Sequence, residues 1–307
     1  MPAVGWRDIL LRTKAEAKTD RATLLAAGVA FYALLALVPA LVALVSVVGL
    51  VADPATIDRD VRDFLGAAPR EVGDLVSQQL EAITADAGAG TVLAVLVGIA
   101  LALWSASSGI GHLIEAINTA YDEEETRGFV ERKVLALSLT VGAVVFAAVA
   151  FVLIAALPGI VADTGLGIVG RILLGVLRWA LLVAGMLAAT AVLYRVGPDR
   201  DDARWAWITP GAVVATVLWI SGSAIFAIYT ANFGKYNETY GSLGGVVVVM
   251  LWLFLTAFSV ILGAELNAES EKQTSRDSTV GAARPLGWRR ATAADTVAPA
   301  PASGDGE

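Results

Sequence analysis

The sequence predicts an all-α fold: a polytopic membrane helical bundle with six transmembrane helices and both termini in the cytoplasm. Three observations lead to this prediction. The composition is 57% hydrophobic and only 17% charged, which leaves too few charged side chains to cover a soluble globule. Long uncharged stretches recur along the chain. The basic residues concentrate in alternate connections between those stretches.

Six uncharged stretches are candidates to cross a bilayer, whose core of about 30 Å requires about 20 apolar residues of helix. The first, Ala22–Ala52, is far longer than the apolar region of a cleaved signal peptide, so it is predicted to remain as a span. The fourth core, Trp179–Tyr194, is short. However, Arg178 and Arg195 can extend toward the interfaces, where aromatic residues are also favoured. The predicted spans are 24–50, 90–111, 134–157, 176–196, 207–231 and 243–264.

The distribution of positive charge predicts the orientation. Of the 22 Lys and Arg residues, 16 lie in the amino-terminal segment 1–21, in the connections after the second and fourth spans, and in the carboxyl-terminal tail. Positive charge concentrates on the cytoplasmic side of membrane proteins. Both termini are therefore predicted to be cytoplasmic.

The segments outside the spans divide the chain into three parts: a cytoplasmic segment 1–21, a six-span domain 22–270 and a tail 271–307. Within the domain, the outside segment 53–86 carries apolar residues at helical spacing from Glu71 to Ile83, preceded by Pro69. It is either a helix on the outer surface or a lid over a substrate pathway. The tail is rich in Ser, Thr, Ala, Pro and charge, a composition typical of disorder.

Several kinds of chemistry have no signal in this sequence. The six apolar cores contain no Asp, Glu, Lys or His, which argues against a proton-coupled pump. A single histidine and the lack of cysteine give no basis for a metal hydrolase or a thiol nucleophile, and no phosphate-binding loop is present. The net charge of −7 argues against nucleic-acid binding. We therefore expect no enzyme, no metal, no cofactor and no nucleic-acid partner.

Pro39 lies deep in the first span and is a candidate functional residue. Proline removes the helical hydrogen bond to the Leu35 carbonyl and kinks a helix. The kink either simply shapes the bundle or forms a hinge or polar opening at Leu35. Small residues on the second span (Gly98, Ala102, Ser105, Gly109) allow close helix approach, within the bundle or with a partner or second copy.

Polar residues near the predicted cytoplasmic interface form the second group of candidates. His112, Glu115 and Asn118 recur at a spacing that places them on one helix face. Glu265 follows the last apolar residue of the sixth span, and Asn267 lies just beyond it. Because the predicted topology places Arg127 on the same side, a Glu265–Arg127 ion pair is allowed. This cluster is either a structural interface network or a substrate gate.

Several spaced strings resemble the YihY/BrkB family of bacterial inner-membrane proteins, once widely labelled ribonuclease BN. They are AAGVAFYALLALVPAL in the first span, WSASSGIGHLIEAINTAYDEEETRGFVERK after the second, YRVGP after the fourth, and FAIYTANFGKYNETYGSLGGVVVVMLWLFLTAFSVILGAELNAE at the end. The resemblance covers about residues 20–270. One departure is Ala36, where the family often has serine.

The resemblance carries over a set of residues, position by position. They are Phe31, Tyr32, Pro39, Asn118, Tyr121, Arg127, Gly128, Tyr194, Pro198, Gly211, Phe226, Tyr229, Tyr240, Gly241, Trp252, Glu265 and Asn267. From these and the patterns above, the candidate functional or gating residues are Pro39, Tyr32, Asn118, Glu115, Arg127, Tyr240, Glu265 and Asn267.

The expected function is that of a bacterial plasma (inner) membrane protein that moves or gates a lipidic or small solute without its own ATPase. The alternative is a non-transporting scaffold for envelope assembly that binds other membrane proteins or a second copy. The nuclease label is not supported by the residues, because a hydrolytic nuclease needs a clustered metal site and a basic face.

Overall fold

The computed structural model describes residues 3–51, 89–156, 167–231 and 242–298. These residues form helices joined by turns, and within them the β-structure is a single antiparallel bridge between Ala203 and Thr279. The helices are α1 (Ala3–Thr19), α2 (Ala22–Val51), α3 (Ala89–Ala120), α4 (Phe129–Phe151, continued by a π-helical turn Val152–Ala156), α5 (Ile168–Val196), α6 (Trp205–Ala231), α7 (Ser242–Lys272) and α8 (Thr292–Asp295). The prediction of an all-α fold is confirmed.

The helices have the length and apolarity that a membrane requires. In the described ranges five helices meet both criteria, and a sixth span results if α1 and the first part of α2, which meet at 63°, count as one bent span. These helices include the predicted spans 24–50, 90–111, 176–196, 207–231 and 243–264, and the described part of 134–157. The sharp bend lies at Asp20 and Arg21, whereas α2 remains helical through Pro39. The side of the membrane on which each terminus lies remains a prediction.

Several helices extend beyond the boundaries predicted from uncharged runs, among them α5 and α7. Helix α5 begins at Ile168, and so includes Arg171 and Arg178. Helix α7 continues to Lys272, eight residues past the predicted end of its span. The first charged residue after the apolar run does not mark the end of the helix. The buried acidic side chains of the last two turns have ion-pair partners, and these allow the helix to continue.

Small residues hold the bundle together at close range. Helix α7 packs against α1, α2, α3 and α6, and an alanine-rich buried cluster lies among them. At the contact of α6 with α7, a Cβ on Gly263 would lie 2.6 Å from the Gly211 carbonyl oxygen and would also clash with the Tyr194 hydroxyl. On the predicted small-residue ridge of α3, Gly109 contacts α2, whereas Gly98 has open space beside it.

The tail differs from the predicted disorder as far as residue 298. Its Arg289 side chain is 3% exposed and donates to the Ala294 and Ser275 carbonyls, at 2.6 and 2.7 Å. Backbone groups also bond across to the connection before α6, as from Val280 to Asp202. Composition was misleading because this segment is ordered by hydrogen bonds together with the burial of small apolar residues such as Ala293 and Ala294. Residues 299–307 and the predicted outside segment 53–86 lie outside the described residues.

Candidate functional site at the polar end of the bundle

The polar end of the bundle is the end at which α2, α4 and α6 begin and α3, α5 and α7 finish, with α1 and the tail beside it. Three acidic side chains of the last turns of α7 are buried there. Glu265, Glu269 and Glu271 are 2%, 1% and 1% exposed. A buried charge is costly unless it is paired. The partners of each carboxylate therefore decide what it can do.

Glu269 is fully paired. It accepts from Arg12 Nε at 2.7 Å and contacts Lys272 Nζ at 2.8 Å. Lys272 also bonds to Asp122, at 2.8 Å. These ion pairs connect α1, the connection after α3 and the end of α7. They form a structural network with no free acidic group.

Glu271 is paired just as completely. Arg200 reaches it with two guanidinium nitrogens, at 2.7 and 3.2 Å, and the Ser278 hydroxyl donates to it as well. Both charged side chains are excluded from solvent, at 1% and 0% exposure. The Arg200 guanidinium also lies 5.2 Å from the centre of the Tyr121 ring. No local spacing in the sequence indicates this pair, whose members are 71 residues apart.

Glu265 is in a different situation. Its buried Oε1 has no hydrogen-bond donor. Its carboxyl lies in hydrogen-bonding contact with the carboxyl of Asp20, in the turn between α1 and α2. The Glu265–Arg127 ion pair that the predicted topology allowed is not formed, because Arg127 is bonded to Glu125 and Gly197.

Arg127 joins the α3–α4 connection to the end of α5. Its Nε and Nη2 donate to Glu125 at 2.7 and 2.8 Å, and Nη2 also reaches the Gly197 carbonyl at 2.8 Å. Burial acts to raise the pKa of Glu125, but the N–H groups and charge of Arg127 outweigh it and lower that pKa. The pKa of Asp199 is lowered against the same effect of burial, by bonds from Thr126 and by the charge of Arg127.

Asn118 completes this group, which we call the Arg127 cluster: Asn118, Glu125, Arg127 and Asp199. The Asn118 amide donates to Glu125 at 3.0 Å, and its oxygen accepts from the Asp199 backbone N–H at 2.8 Å. The structure thus brings the predicted residues Asn118 and Arg127 together. Each of these polar groups bonds to another residue of the same chain, so the cluster holds the α3–α4 connection against the α5–α6 connection.

Asn267 fixes α6 to α7. Its side-chain oxygen accepts from the Gly211 N–H at 2.7 Å, and its amide donates to the Ile208 carbonyl at 3.1 Å. Pro210 lies between these two residues, where it interrupts the helical hydrogen bonding of α6. Asn267 therefore ties the first turns of α6 to α7, on both sides of the proline.

Tyr32, His112 and Glu115 lie apart from Asn118. The Tyr32 ring stacks on His112, with centres 3.6 Å apart. His112 Nδ1 lies 3.1 Å from a Glu115 oxygen, and the other Glu115 oxygen lies 3.1 Å from Arg132. These side chains are partly exposed, so the single polar face predicted from their spacing is divided into two environments.

Beyond the polar end, residues of α2, α3, α4 and α7 line an open apolar cavity of about 380 Å³. Among its wall residues are Ala36, Ala106, Gly109, Thr140, Val144, Thr256, Ala257 and Val260. The two threonine hydroxyls bond to carbonyls of their own helices, at 2.7 and 2.9 Å, which leaves the walls apolar.

The cavity changes the interpretation of Pro39. Leu35 does not line it and is 59% exposed, so the predicted polar opening at that residue is not where the cavity lies. Ala36 and Ala40, one on each side of Pro39, do line it. Ala36, the departure from the resembled family, therefore makes this wall apolar. Sequence reasoning missed the cavity because alanine in an apolar helix carries no distinguishing signal.

Two further points concern the candidate residues. Tyr240 lies outside the described residues. Within the described ranges, no three His, Asp or Glu side chains come together in a way that could hold a metal ion.

The chain matches the family described as "Virulence factor BrkB" over residues 13–285. The ribonuclease-like protein YfkH of Bacillus subtilis strain 168 is 35% identical over 181 residues, which cover 57% of this chain and 65% of that protein. A UPF0761 membrane protein of Tolumonas auensis is 36% identical over 96 residues, covering 31% of this chain and 30% of that protein.

A UPF0761 membrane protein of Alteromonas mediterranea is 39% identical over 94 residues, covering 30% of this chain and 31% of that protein. The matched parts thus span less than two thirds of these relatives. No solved structure matches the chain. The family match covers most of the sequence and agrees with the apolar helices, and the resemblance found in the motifs is confirmed. The chain belongs to the virulence factor BrkB family and is a multi-pass membrane protein.

Proposed function

We propose that this protein moves or gates a lipidic solute across the bacterial plasma membrane without an ATPase of its own. The observation that carries the proposal is the apolar cavity between α2, α3, α4 and α7. Its volume of about 380 Å³ falls in the range of about 300–1,000 Å³ that small-molecule sites occupy. Apolar walls suit an acyl chain, whereas a hydrated ion requires polar groups along its path.

The polar end supports the same proposal by limiting where the cavity can open. The alanine-rich cluster, which includes Ala26, Ile117 and Ile261, is almost fully buried between the cavity and the paired charges. A lipidic cargo would therefore enter the cavity from the side, between helices. We assign the polar end to the cytoplasm because most basic residues lie in the segments that meet there.

Reconstitution tests the proposal. Purified protein in vesicles is expected to speed the exchange of a fluorescent phospholipid between leaflets, measured by its loss to an added reductant. Ala36→Leu and Ala106→Leu place extra methyl groups in the cavity walls and should slow this exchange. Ala180→Leu is the matched control, because Ala180 is exposed on α5 and does not line the cavity.

Two results would contradict the proposal. One is wild-type protein that exchanges lipid no faster than empty vesicles. The other is exchange that is as fast in Ala36→Leu and Ala106→Leu as in the control. Folding of each variant is checked by its size-exclusion profile before it is assayed.

A scaffold role is the alternative, and the position of α5 favours it. The most apolar stretch of α5 contains no buried residue, and Ile172 and Val176 are 60% and 64% exposed. Such a surface fits a partner helix as well as lipid. A photo-crosslinking residue at Ile172 would then capture one defined membrane protein in cells, and the purified protein would be inactive in vesicles.

Nuclease activity is a third possibility, suggested by the name of the Bacillus relative alone. We expect no RNA cleavage by the purified protein with added Mg²⁺ or Mn²⁺. Cleavage that co-purifies with the protein and is lost with an inactivating point substitution would overturn that expectation.

A further inference from the structure

Glu265 differs from its neighbours on α7. Glu269 and Glu271 are equally buried, yet each has at least two cationic nitrogens within 3.2 Å. Glu265 is 2% exposed and its Oε1 has no donor. An ionised carboxylate in this position would be buried without compensation, which costs several kcal/mol. The geometry thus calls for a proton.

The surroundings of Glu265 are acidic. The titratable group that acts on it most strongly is the Asp20 carboxyl, and Asp122 acts on both groups. Burial raises the pKa of Asp20, and the charges of Asp122 and Glu16 raise it further. Lys272 is the nearby cation, but it is bonded to Asp122 and Glu269.

The other elements packed around this pair add no compensating charge. Arg12 on α1 is bonded to Glu269, and Arg200 is bonded to Glu271. Helices α2 and α6 carry no Asp, Glu, Lys, Arg or His. The two such residues of α3, His112 and Glu115, contact each other, and Glu115 also contacts Arg132. Two carboxyl groups in contact cannot both ionise readily, so such pairs retain one proton between them.

We propose that Asp20 and Glu265 together form a proton-binding site, in which one shared proton joins the α1–α2 turn to α7. With the proton present, the Glu265 carboxyl donates to Asp20 and the contact is a hydrogen bond. When the proton leaves, the two carboxylates repel each other. This inference does not depend on the identity of a cargo or on transport.

The site lies at the ends of two helices that also form the cavity. Val260 of α7 lines the cavity and precedes Glu265 by five residues, or about 7.5 Å along a helix. Val29 of α2 lines it nine residues after Asp20. Loss of the proton would therefore separate α2 from α7 near the closed end of the cavity, and pH would control that separation.

Infrared difference spectroscopy of the purified protein in nanodiscs tests the site directly. Wild type is expected to show the C=O stretch of a protonated carboxyl at neutral pH, and this band should disappear as the pH is raised. Glu265→Gln should lack the band. In Asp20→Asn the band should no longer titrate at alkaline pH, or its titration should move to lower pH by about one unit or more. The reason is that a neighbouring negative charge has been removed.

Glu115→Gln is the control, since Glu115 contacts His112 and Arg132 and does not bond to Asp20, Glu265 or Lys272. This variant should keep the band unchanged. The proposal is overturned if neutral wild type shows no titrating band, if the band persists in Glu265→Gln, or if it titrates in Asp20→Asn as it does in wild type. Asp20→Asn changes a turn rather than a helix, so it serves if Glu265→Gln does not fold.

Discussion

At the scale of single residues, the buried charges at the polar end differ in how much they stabilise the fold. The Arg200–Glu271 pair is excluded from solvent, whereas the Glu115–Arg132 pair is 45% and 39% exposed. Removing one member of a buried pair leaves the other charge uncompensated, at a cost of about 3–5 kcal/mol, while an exposed pair contributes about 1 kcal/mol or less.

We therefore expect Glu271→Gln to lower the free energy of unfolding by about 3 kcal/mol or more. Glu115→Gln, the matched control, should change it by less than about 1 kcal/mol. Denaturant unfolding in detergent micelles, followed by circular dichroism, measures both. Equal effects of the two substitutions would mean that Arg200 finds another partner.

The Arg127 cluster makes the stability of the fold depend on pH. The pKa values of Glu125 and Asp199 are lowered in the folded protein, so folding is favoured when both groups are ionised. This stabilisation is complete above their ordinary pKa values of 4.5 and 3.8 and is lost as the pH falls below them. The melting temperature should therefore decline below about pH 4.5. In Arg127→Gln that decline should be shallower; a profile parallel to wild type would contradict the assignment.

At the scale of the helices, the approach of α6 to α7 depends on two glycines. A Cβ at Gly263 would meet the Gly211 carbonyl oxygen at 2.6 Å, and backbone there cannot move aside cheaply. Gly263→Ala should destabilise the protein by about 1–3 kcal/mol or more. Gly245→Ala, in the same helix but with nothing within 4 Å, should be neutral or stabilise by up to about 1 kcal/mol. Thermal unfolding monitored by aggregation compares the two; similar melting temperatures would rule out the tight contact.

The helices themselves were predictable, but their partners were not. Uncharged runs predicted the six spans, and Asn118, Arg127, Glu265 and Asn267 do lie at one end of the bundle. The pairs Arg12–Glu269 and Arg200–Glu271 join residues 257 and 71 positions apart, so no local spacing indicates them. The tail was misjudged for the same reason: its order depends on hydrogen bonds that exist only once the bundle has formed.

At the scale of the whole molecule, the remaining prediction is orientation. The segments that meet at the polar end carry most of the basic residues, and such segments stay in the cytoplasm. The chain contains no cysteine, so single cysteines report their own position without a background. Ser275 is exposed in the tail, and Ser77 is in the segment predicted to be outside. The variants Ser275→Cys and Ser77→Cys therefore report on the two predicted sides.

A membrane-impermeant maleimide applied to spheroplasts should label Ser77→Cys and leave Ser275→Cys unlabelled until the membrane is permeabilised. The reverse pattern would place the polar end outside the cell. It would also move the Asp20–Glu265 pair from the regulated pH of the cytoplasm to the variable pH of the exterior. The orientation therefore decides which compartment's protons this pair would sense.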